Sequence, residues 1–443
     1  MNTTKTRRNL SVHGLLMLAA ALLGAVSAQG AQVGLDVAMG SDSVLANAKQ
    51  TAYLRVAMTG HEFRDTSARV PVNVAIVLDK SGSMSGEKLA KAKDAAIMVI
   101  ERLRPDDIVS VVAYDSVVTV LVPATKASDQ AGIFAAIRSV WAGNNTALFA
   151  GVSKGAAEIR KFLERGRVNR IILLSDGLAN EGPSSPGELA ELGASLIKEG
   201  VSVTTIGLGL DYNEDLMAAL ARKSDGNHMF VEKPEDLASA FGREFGNVMS
   251  VVAGNVNVAV TCEPGVRPVR ALGREVSVAG QNVHAVLNQL YGGQTKYILL
   301  EVELEPGTVG TRTPVATVEL SYLDMATKTT ESLRGAVAVT ATDSQALVTA
   351  GENREVMEAI VYQISAERNE LAMRLRDEGK IEEGKRVLKE NLKYLESNGA
   401  IDTSWYRDNG SVLLEMDQGG AEWGKIRKNM IKGQYQIKQQ SAP

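Results

Sequence analysis

The 443-residue chain has few residues of the types that form disulfides, zinc sites and aromatic clusters. Its one cysteine, Cys262, excludes an intramolecular disulfide. Its histidines are scattered, at His13, His61, His228 and His284, and none has a neighbour at the spacing of a zinc-binding pair. Stability must therefore come from packed apolar cores, and the chain is long enough for two or three domains.

The chain also has no strong excess of charge of either sign. Its formal net charge is −4, from 48 basic and 52 acidic residues, and the basic residues are dispersed along the sequence. Proteins that bind nucleic acids carry clustered Lys and Arg side chains that neutralise phosphates. This charge distribution therefore argues against a nucleic-acid partner.

No apolar run of the sequence is long enough to span a membrane, and the longest one lies near the amino terminus. Basic residues precede an apolar run over 15–26, and Val26-Ser27-Ala28 has the small side chains that a signal peptidase requires. The run is too short for a membrane-spanning helix, which needs roughly 20 residues. We therefore predict a signal peptide over 1–28, export to the periplasm or the extracellular space, and no membrane span after cleavage.

Residues 71–253 alternate short apolar runs with amphipathic segments, which is typical of βαβ units around a mostly parallel sheet. The near-continuous Val, Ile and Leu of 72–78 and 168–174 predict strands that are buried on both faces. Apolar residues at helical spacing over 89–103 and 148–163 predict helices between strands. The sequence thus predicts a doubly wound α/β domain with a 3-2-1-4-5-6 strand order.

The segments on either side of this domain alternate apolar and polar residues, which predicts antiparallel strands. Neither flank alone supplies a convincing sheet, so we predict that 29–70 and 254–343 form one β-sandwich into which the α/β domain is inserted. Residues 344–400 have the spacing of a helical hairpin that turns near Glu378-Gly379-Lys380. The Gln-rich end of 401–443 predicts a partly disordered extension.

Polar side chains follow two of the buried strands of the predicted sheet. Asp79 ends the first strand, Ser81 and Ser83 follow it, and Asp176 ends the fourth strand. These two strands are neighbours at the point where the strand order reverses, and ligands of doubly wound sheets bind there. Two carboxylates in one crevice need a counter-charge, and hydroxyls are hard oxygen ligands. The residues therefore predict a site for Mg²⁺, with Mn²⁺ or Ca²⁺ as alternatives.

A simpler interpretation of these residues stays open at this point. Ser83, Ser85 and Thr146 could each cap a helix, and Asp176-Gly177 could form a turn. Other chemistries fail on spacing, because the chain has no GxxxxGK[ST] loop, no complete GxGxxG fingerprint and no HExxH pair. No nucleophile with an orienting base is evident, so we predict no enzymatic activity.

The stretch DKSGSM, residues 79–84, matches the Asp-x-Ser-x-Ser motif of von Willebrand factor A domains, and Thr146 and Asp176 match the two remaining positions of that motif. Over roughly residues 70–250 the chain resembles these domains. Its layout is most similar to that of secreted bacterial members, which in turn resemble inter-alpha-trypsin inhibitor heavy chains and calcium-activated chloride channel regulators.

The resemblance implies a metal-ion-dependent adhesion site. Ser81 and Ser83 would bind the cation directly through their hydroxyls, and Thr146 would do so in a ligand-bound state. Asp79 and Asp176 would act largely through coordinated water. An Asp or Glu carboxylate from a protein partner would complete the coordination, which makes the expected function metal-dependent protein binding. The alternative is a structural or assembly component of the cell envelope, in which the metal only stabilises loops.

Overall fold

The computed structural model describes residues 32–63 and 69–440. The predicted signal peptide lies outside the described residues. Within those two ranges, no helix combines the length and the apolar character that crossing a bilayer requires.

The first described strands belong to a β-sandwich: β1 (Val33–Met39), β2 (Ser43–Leu45) and β3 (Gln50–Gly60). An α/β domain follows: β4 (Val72–Asp79), α1 (Glu87–Ile100), β5 (Ile108–Tyr114), β6 (Val118–Lys126), α2 (Gln130–Arg138), α3 (Leu148–Arg160), β7 (Val168–Ser175), α4 (Pro186–Lys198), β8 (Val201–Leu208), α5 (Glu214–Lys223), β9 (His228–Val231) and α6 (Leu237–Met249). The chain then returns to the sandwich: β10 (Val251–Cys262), β11 (Val266–Leu272), β12 (Ser277–Ala279), β13 (Asn282–Tyr291), β14 (Thr295–Leu304), β15 (Arg312–Asp324) and β16 (Thr330–Thr342). Helices complete the described chain: α7 (Gln345–Ala350), α8 (Arg354–Asp377), α9 (Ile381–Ser397), α10 (Ser404–Glu415) and α11 (Gly420–Gln439).

The α/β domain has the predicted doubly wound sheet. Its described strands have the order β6-β5-β4-β7-β8-β9, in which β6 is antiparallel to β5 and the other pairs are parallel. Every residue of β4 and β7 is buried, because helices cover both faces of the sheet. The carboxyl ends of these two neighbouring strands therefore lie side by side where the strand order reverses, as predicted.

The two flanks form one β-sandwich, which confirms the predicted insertion. Its sheets have the orders β1-β3-β14-β11 and β12-β13-β10-β15-β16-β2, and they share one apolar core. Strand β3 pairs antiparallel with β14, from Gln50 opposite Leu304 to Thr59 opposite Thr295. The short β2 pairs with the end of β16 in parallel, which the alternating pattern of the sequence did not predict.

The C-terminal helices include the predicted hairpin, which α8 and α9 form. The sequence also predicts a partly disordered extension over 401–443, whereas the structure has α10 and α11 there. These helices are held in place because Trp423, Met430 and Tyr435 are buried. Tyr435 packs against α5, and its hydroxyl donates a hydrogen bond to the carbonyl oxygen of Gly226 at 2.7 Å.

Buried charges join the α/β domain to the sandwich. We call this group the buried network, and it consists of Arg170, Asp225, Glu244, Arg274 and Lys296. The guanidinium of Arg170, on β7, donates to Gln289 Oε1 at 2.5 Å and to the hydroxyl of Tyr291 at 2.6 Å, both in the sandwich. Asp225, which follows α5, accepts a hydrogen bond from Arg274 at 2.9 Å. The α/β domain is therefore fixed to the sandwich at the side of the sheet away from the carboxyl ends of β4 and β7.

Candidate functional site

The five predicted site residues lie in the loops at the carboxyl edge of the α/β sheet. Asp79 is the last residue of β4, and Asp176 directly follows β7. Ser81 and Ser83 lie in the loop that leads into α1, and Thr146 lies just before α3. We call these five residues the edge cluster.

The backbone N–H of Ser81 and the hydroxyls of Ser81 and Ser83 connect the two carboxylates of the edge cluster. The backbone N–H of Ser81 donates to Asp79 Oδ1 at 2.8 Å, and the Ser81 and Ser83 hydroxyl oxygens are 3.1 Å apart. The Ser83 hydroxyl donates to Asp176 Oδ1 at 2.6 Å. The loops after β4 and β7 therefore present their oxygen atoms to each other across the sheet edge.

The surroundings of Gly177 show that the Thr146 hydroxyl lies close to that of Ser83. A Cβ atom at position 177 would lie 3.1 Å from Ser83 Oγ and 3.5 Å from Thr146 Oγ1. The two hydroxyls thus face the same small space, and a larger side chain at Gly177 would begin to fill it. From the sequence alone, Gly177 is expected only to form part of a turn.

The hydroxyls of Ser83 and Thr146 are not used to cap helices. Helix α1 follows Gly86 and helix α3 follows Ala147, and among the described residues neither helix has a side-chain hydrogen bond at its N-cap. Ser85 donates to the carbonyl oxygen of Gly82 at 2.7 Å. The capping interpretation therefore does not account for Ser83 or Thr146, which keep their hydroxyls directed into the edge cluster.

Asp79 is held in a buried position by groups behind the cluster. Its Oδ2 atom accepts a hydrogen bond from the Ser175 hydroxyl at 2.7 Å and a long one from Tyr114 at 3.4 Å. Burial raises the pKa of Asp79 above its usual value, the hydrogen bonds from Ser81 and Ser175 oppose this, and the carboxylate of Asp176 raises it further. A positive charge beside Asp79 would relieve this unfavourable burial.

Two residues at the edge were not singled out from the sequence. Lys88, in the first turn of α1, places its ammonium nitrogen 2.6 Å from Asp176 Oδ2. Asn180 accepts a hydrogen bond from the backbone N–H of Thr146 at 2.7 Å, so it fixes the loop before α3 against the loop after β7. Neither residue belongs to a spacing motif, and both meet the cluster only through the tertiary fold.

The oxygen atoms of the edge cluster fit a small, hard cation. In an octahedron with metal–oxygen distances of 2.0–2.1 Å, neighbouring oxygens are about 2.9 Å apart. The separations of 3.1 Å between the Ser81 and Ser83 hydroxyls and 2.6 Å between Ser83 and Asp176 lie on either side of this value. In the described part of the chain, no three His, Cys, Asp or Glu side chains form a metal-binding group. Hydroxyls would therefore supply the remaining ligands beside the two carboxylates.

Exposed apolar side chains lie in the loops of the same edge. The exposed fractions are 66% for Val117, 83% for Trp141 and 59% for Leu178. Leu178 is two residues beyond Asp176, and the loop of Trp141 is tied to the loop after β4 by the Gly143 N–H, which donates to the Lys80 carbonyl oxygen at 2.6 Å. Exposed apolar groups in neighbouring loops are typical of protein-binding surfaces.

Sequence comparisons relate the chain to proteins of known family. The von Willebrand factor type A domain family matches residues 73–243. An uncharacterized protein of Synechocystis sp. is 30% identical over 290 residues, which cover 63% of this chain and 68% of the relative. The uncharacterized protein YfbK of Escherichia coli is 28% identical over 206 residues, and the inter-alpha-trypsin inhibitor heavy chain H3 of Rattus norvegicus is 28% identical over 167 residues. The chain spans 36% of the length of YfbK and 19% of that of the heavy chain.

Solved structures show the same fold. A von Willebrand factor type A protein from Catenulispora acidiphila superposes with a TM-score of 0.70 at 19% identity, over 85% of this chain and 89% of that one. The ArnB paralog VWA2 from Sulfolobus acidocaldarius superposes with a TM-score of 0.62 at 18% identity, over 91% of this chain and 99% of that one. The likeness therefore extends beyond the α/β domain.

Proposed function

This chain belongs to the von Willebrand factor type A family, and from that premise we propose that it binds a protein partner through a divalent cation held by the edge cluster. Domains of this family generally mediate protein–protein interactions. The proposed cation is Mg²⁺, with Mn²⁺ and Ca²⁺ as alternatives, and the proposed partner group is an Asp or Glu carboxylate. The protein is proposed to act after export, without catalysis of its own.

The observation that supports this proposal is that hydroxyl groups not used for helix capping lie together with two carboxylates. Ser81, Ser83 and Thr146 are neutral ligands, so they would leave much of the charge of a divalent cation unneutralised. Such a cation retains an affinity for an additional anionic oxygen. Ser83 is exposed at this edge, so a carboxylate from another protein could reach the cation from solvent.

The surroundings of the edge cluster support a protein rather than a small molecule as the partner. Val117, Trp141 and Leu178 offer exposed apolar area in the loops of the same edge, and exposed apolar patches bordered by polar residues are typical of protein interaction sites. A carboxylate on a protein loop could engage the cation while neighbouring apolar side chains cover Trp141 and Leu178. The cation would then supply specificity, and the apolar residues would supply buried area.

Cation binding is tested first, because it needs no knowledge of the partner. Mn²⁺ binding followed by electron paramagnetic resonance, and melting temperature followed with increasing Mg²⁺, should both show saturable binding by the wild type. The Ser81→Ala/Ser83→Ala double variant should lose both signals while it stays folded without metal. Ser85→Ala is the matched control in the same loop, and it should behave as the wild type does.

Partner binding is tested by capture from an extracellular or envelope fraction, in Mg²⁺ and in EDTA. A partner that depends on the edge cluster is retained by the wild type in Mg²⁺ and by Ser85→Ala, and it is lost in EDTA and from the Ser81→Ala/Ser83→Ala variant. Retention under all of these conditions would refute metal-dependent binding. It would favour the alternative of an envelope structural component whose loops the metal only stabilises.

A further inference from the structure

The ion pair between Lys88 and Asp176 has a consequence for the affinity of the edge cluster. We infer that Lys88 is a built-in counter-ion, which stabilises the metal-free cluster and competes with the divalent cation for Asp176. The competition rests on the proposed function, because it concerns the affinity of the same site. The stabilising role of Lys88 in the metal-free protein can be measured independently.

The two oxygens of Asp176 have different partners. Oδ1 accepts the Ser83 hydroxyl at 2.6 Å, within the edge cluster, and Oδ2 lies 2.6 Å from the ammonium nitrogen of Lys88. The Asp176 side chain is 0% exposed, whereas that of Lys88 is 28% exposed. A fully buried carboxylate is unfavourable without a cation beside it. Lys88 supplies that cation from the protein itself.

The ammonium group of Lys88 lies between Asp176 and the loop after β8. The side chain extends from the first turn of α1 to the loop after β8, where a Cβ atom at Gly209 would lie 3.9 Å from the Lys88 nitrogen. Gly209 has a φ of +72°, a conformation that favours glycine. The loop backbone is therefore close to the ammonium group, and the exposed part of the side chain leaves a route out toward solvent.

A divalent cation at the edge cluster would bring a second positive centre close to Lys88. Like charges in one small cluster repel, and the repulsion is strong where burial lowers the effective dielectric constant. Binding of the cation would therefore require the ammonium group to give up Asp176 or to tolerate this repulsion. Either response weakens cation binding, so Lys88 sets the cation concentration at which the site fills.

The test compares Lys88→Met with Lys91→Met. Lys91 lies one turn further along α1, is also partly buried, and forms no ion pair with any described residue. Without metal, Lys88→Met should melt several degrees below the wild type, and its dissociation constant for Mg²⁺ by calorimetry should be lower by about tenfold or more. Lys91→Met removes the same charge at a greater distance, and it should change both quantities little.

A double variant separates loss of the ion pair from general damage to the fold. If Lys88→Met melts early because Asp176 is left unpaired, Lys88→Met/Asp176→Asn should recover most of the metal-free melting temperature. Failure of that recovery would overturn the counter-ion role, even if Lys88→Met proved difficult to fold. The recovery uses no metal, so it does not depend on the proposed function.

The metal titration distinguishes failure of this inference from failure of the proposed function. If the wild type binds Mg²⁺ and Lys88→Met binds it no more tightly than Lys91→Met does, competition by Lys88 is refuted and the metal site stands. If neither the wild type nor Lys88→Met binds Mg²⁺, the proposed metal site is refuted together with the competition.

Discussion

The edge cluster and the buried network both contain carboxylates, but the groups around these carboxylates differ. The network pairs them with buried Arg and Lys side chains, whereas the cluster places them beside neutral hydroxyls. In the buried network, Arg170 and Glu244 are both 0% exposed and lie 3.4 Å apart, and Asp225 has both Arg274 and Lys296 within ion-pair distance. In the edge cluster, three of the five side chains are neutral hydroxyls, and one of them is exposed. The network is closed to solvent, whereas the cluster opens toward it.

The carboxyl pKa values reflect the same difference. Burial alone would raise the pKa of Asp225, but Lys296 and Arg274 outweigh burial and hold that pKa below its usual value. Burial also acts on Asp79, where the hydrogen bonds from Ser81 and Ser175 do not offset it and the pKa is raised. A charged group whose compensation is complete within the protein indicates a structural role. A charged group whose compensation is incomplete is what the proposed cation site requires.

The largest effect is expected when the buried network loses one partner. Arg170→Met would leave Glu244 without its cation and would leave Gln289 and Tyr291 without their donor. Breaking a buried ion pair by removing one member costs ~3–5 kcal/mol, since the other charge stays buried. We expect a loss of that size in the free energy of unfolding, measured by denaturant titration.

The matched control for Arg170→Met is an exposed ion pair of the sandwich. Arg334 and Glu319 lie 2.6 Å apart, with side chains that are 82% and 62% exposed. Because water solvates both groups, Arg334→Met should cost less than ~1 kcal/mol. Similar losses for the two variants would show that the buried network does not hold the domains together.

The second prediction concerns acid and the buried His228. Burial lowers the pKa of His228 to about 4, and its Nδ1 atom lies 2.8 Å from the Thr205 hydroxyl. His228 takes up a proton near pH 6.5 in the unfolded chain but only near pH 4 in the folded protein. Stability from this group is therefore complete above pH 6.5 and is lost as the pH falls toward 4, by up to ~3 kcal/mol.

The acid prediction is checked by denaturant unfolding at pH 7, 5.5 and 4.5. The free energy of unfolding should fall less steeply with decreasing pH in His228→Gln than in the wild type. His284 is exposed, so His284→Gln should keep the slope of the wild type. A wild-type slope in His228→Gln would mean that carboxylates alone cause the acid sensitivity.

The third prediction is that removing a charge from the edge cluster does not destabilise the metal-free protein, unlike removing a charge from the buried network. Asp79→Asn keeps an oxygen that can accept the N–H of Ser81, and it removes repulsion with Asp176. Without metal its stability should be equal to that of the wild type or slightly higher. Mg²⁺ at 100 times its dissociation constant should stabilise the wild type by about 2.7 kcal/mol and should leave Asp79→Asn unchanged.

Melting curves with and without Mg²⁺ measure both parts of this prediction. A large metal-free loss in Asp79→Asn would make the edge cluster resemble the buried network, and the contrast between the two regions would fail. Stabilisation of Asp79→Asn by Mg²⁺ to the same extent as the wild type would place the cation elsewhere.

Much of the sheet and of the edge cluster could be predicted from the sequence, because local patterns carry that information. The apolar runs that end at Asp79 and Ser175 indicate buried parallel strands, and the strand order then brings Asp79 and Asp176 to one edge. Lys88 and Asn180 could not be found in this way. Their partners are distant in sequence, and the contacts exist only after the helices and loops have packed.

Helices α10 and α11 were missed because composition outweighed periodicity. The Gln residues of α11 suggested disorder, although Trp423, Ile426, Met430 and Ile437 recur at spacings that place apolar groups along one side of a helix. The burial of these apolar groups depends on the other C-terminal helices, and that of Tyr435 depends on α5. A single amphipathic helix of this kind gives a weak signal when its partner surface is unknown.

The smallest expected effect tests whether the loops of the edge cluster need fixed positions. Asn180→Ala removes the acceptor of the Thr146 backbone N–H, a hydrogen bond of 2.7 Å between the loop before α3 and the loop after β7. One such bond contributes about 1 kcal/mol, so we expect the affinity for Mg²⁺ to fall about fivefold. Metal-free stability should change by less than that, because Asn180 is exposed and lies outside the core.

The control is Asn145→Ala in the loop before α3, since the Asn145 side chain makes no hydrogen bond to any described residue. Titration calorimetry that finds the same Mg²⁺ affinity for both variants would show that Thr146 needs no support from the Asn180 side chain.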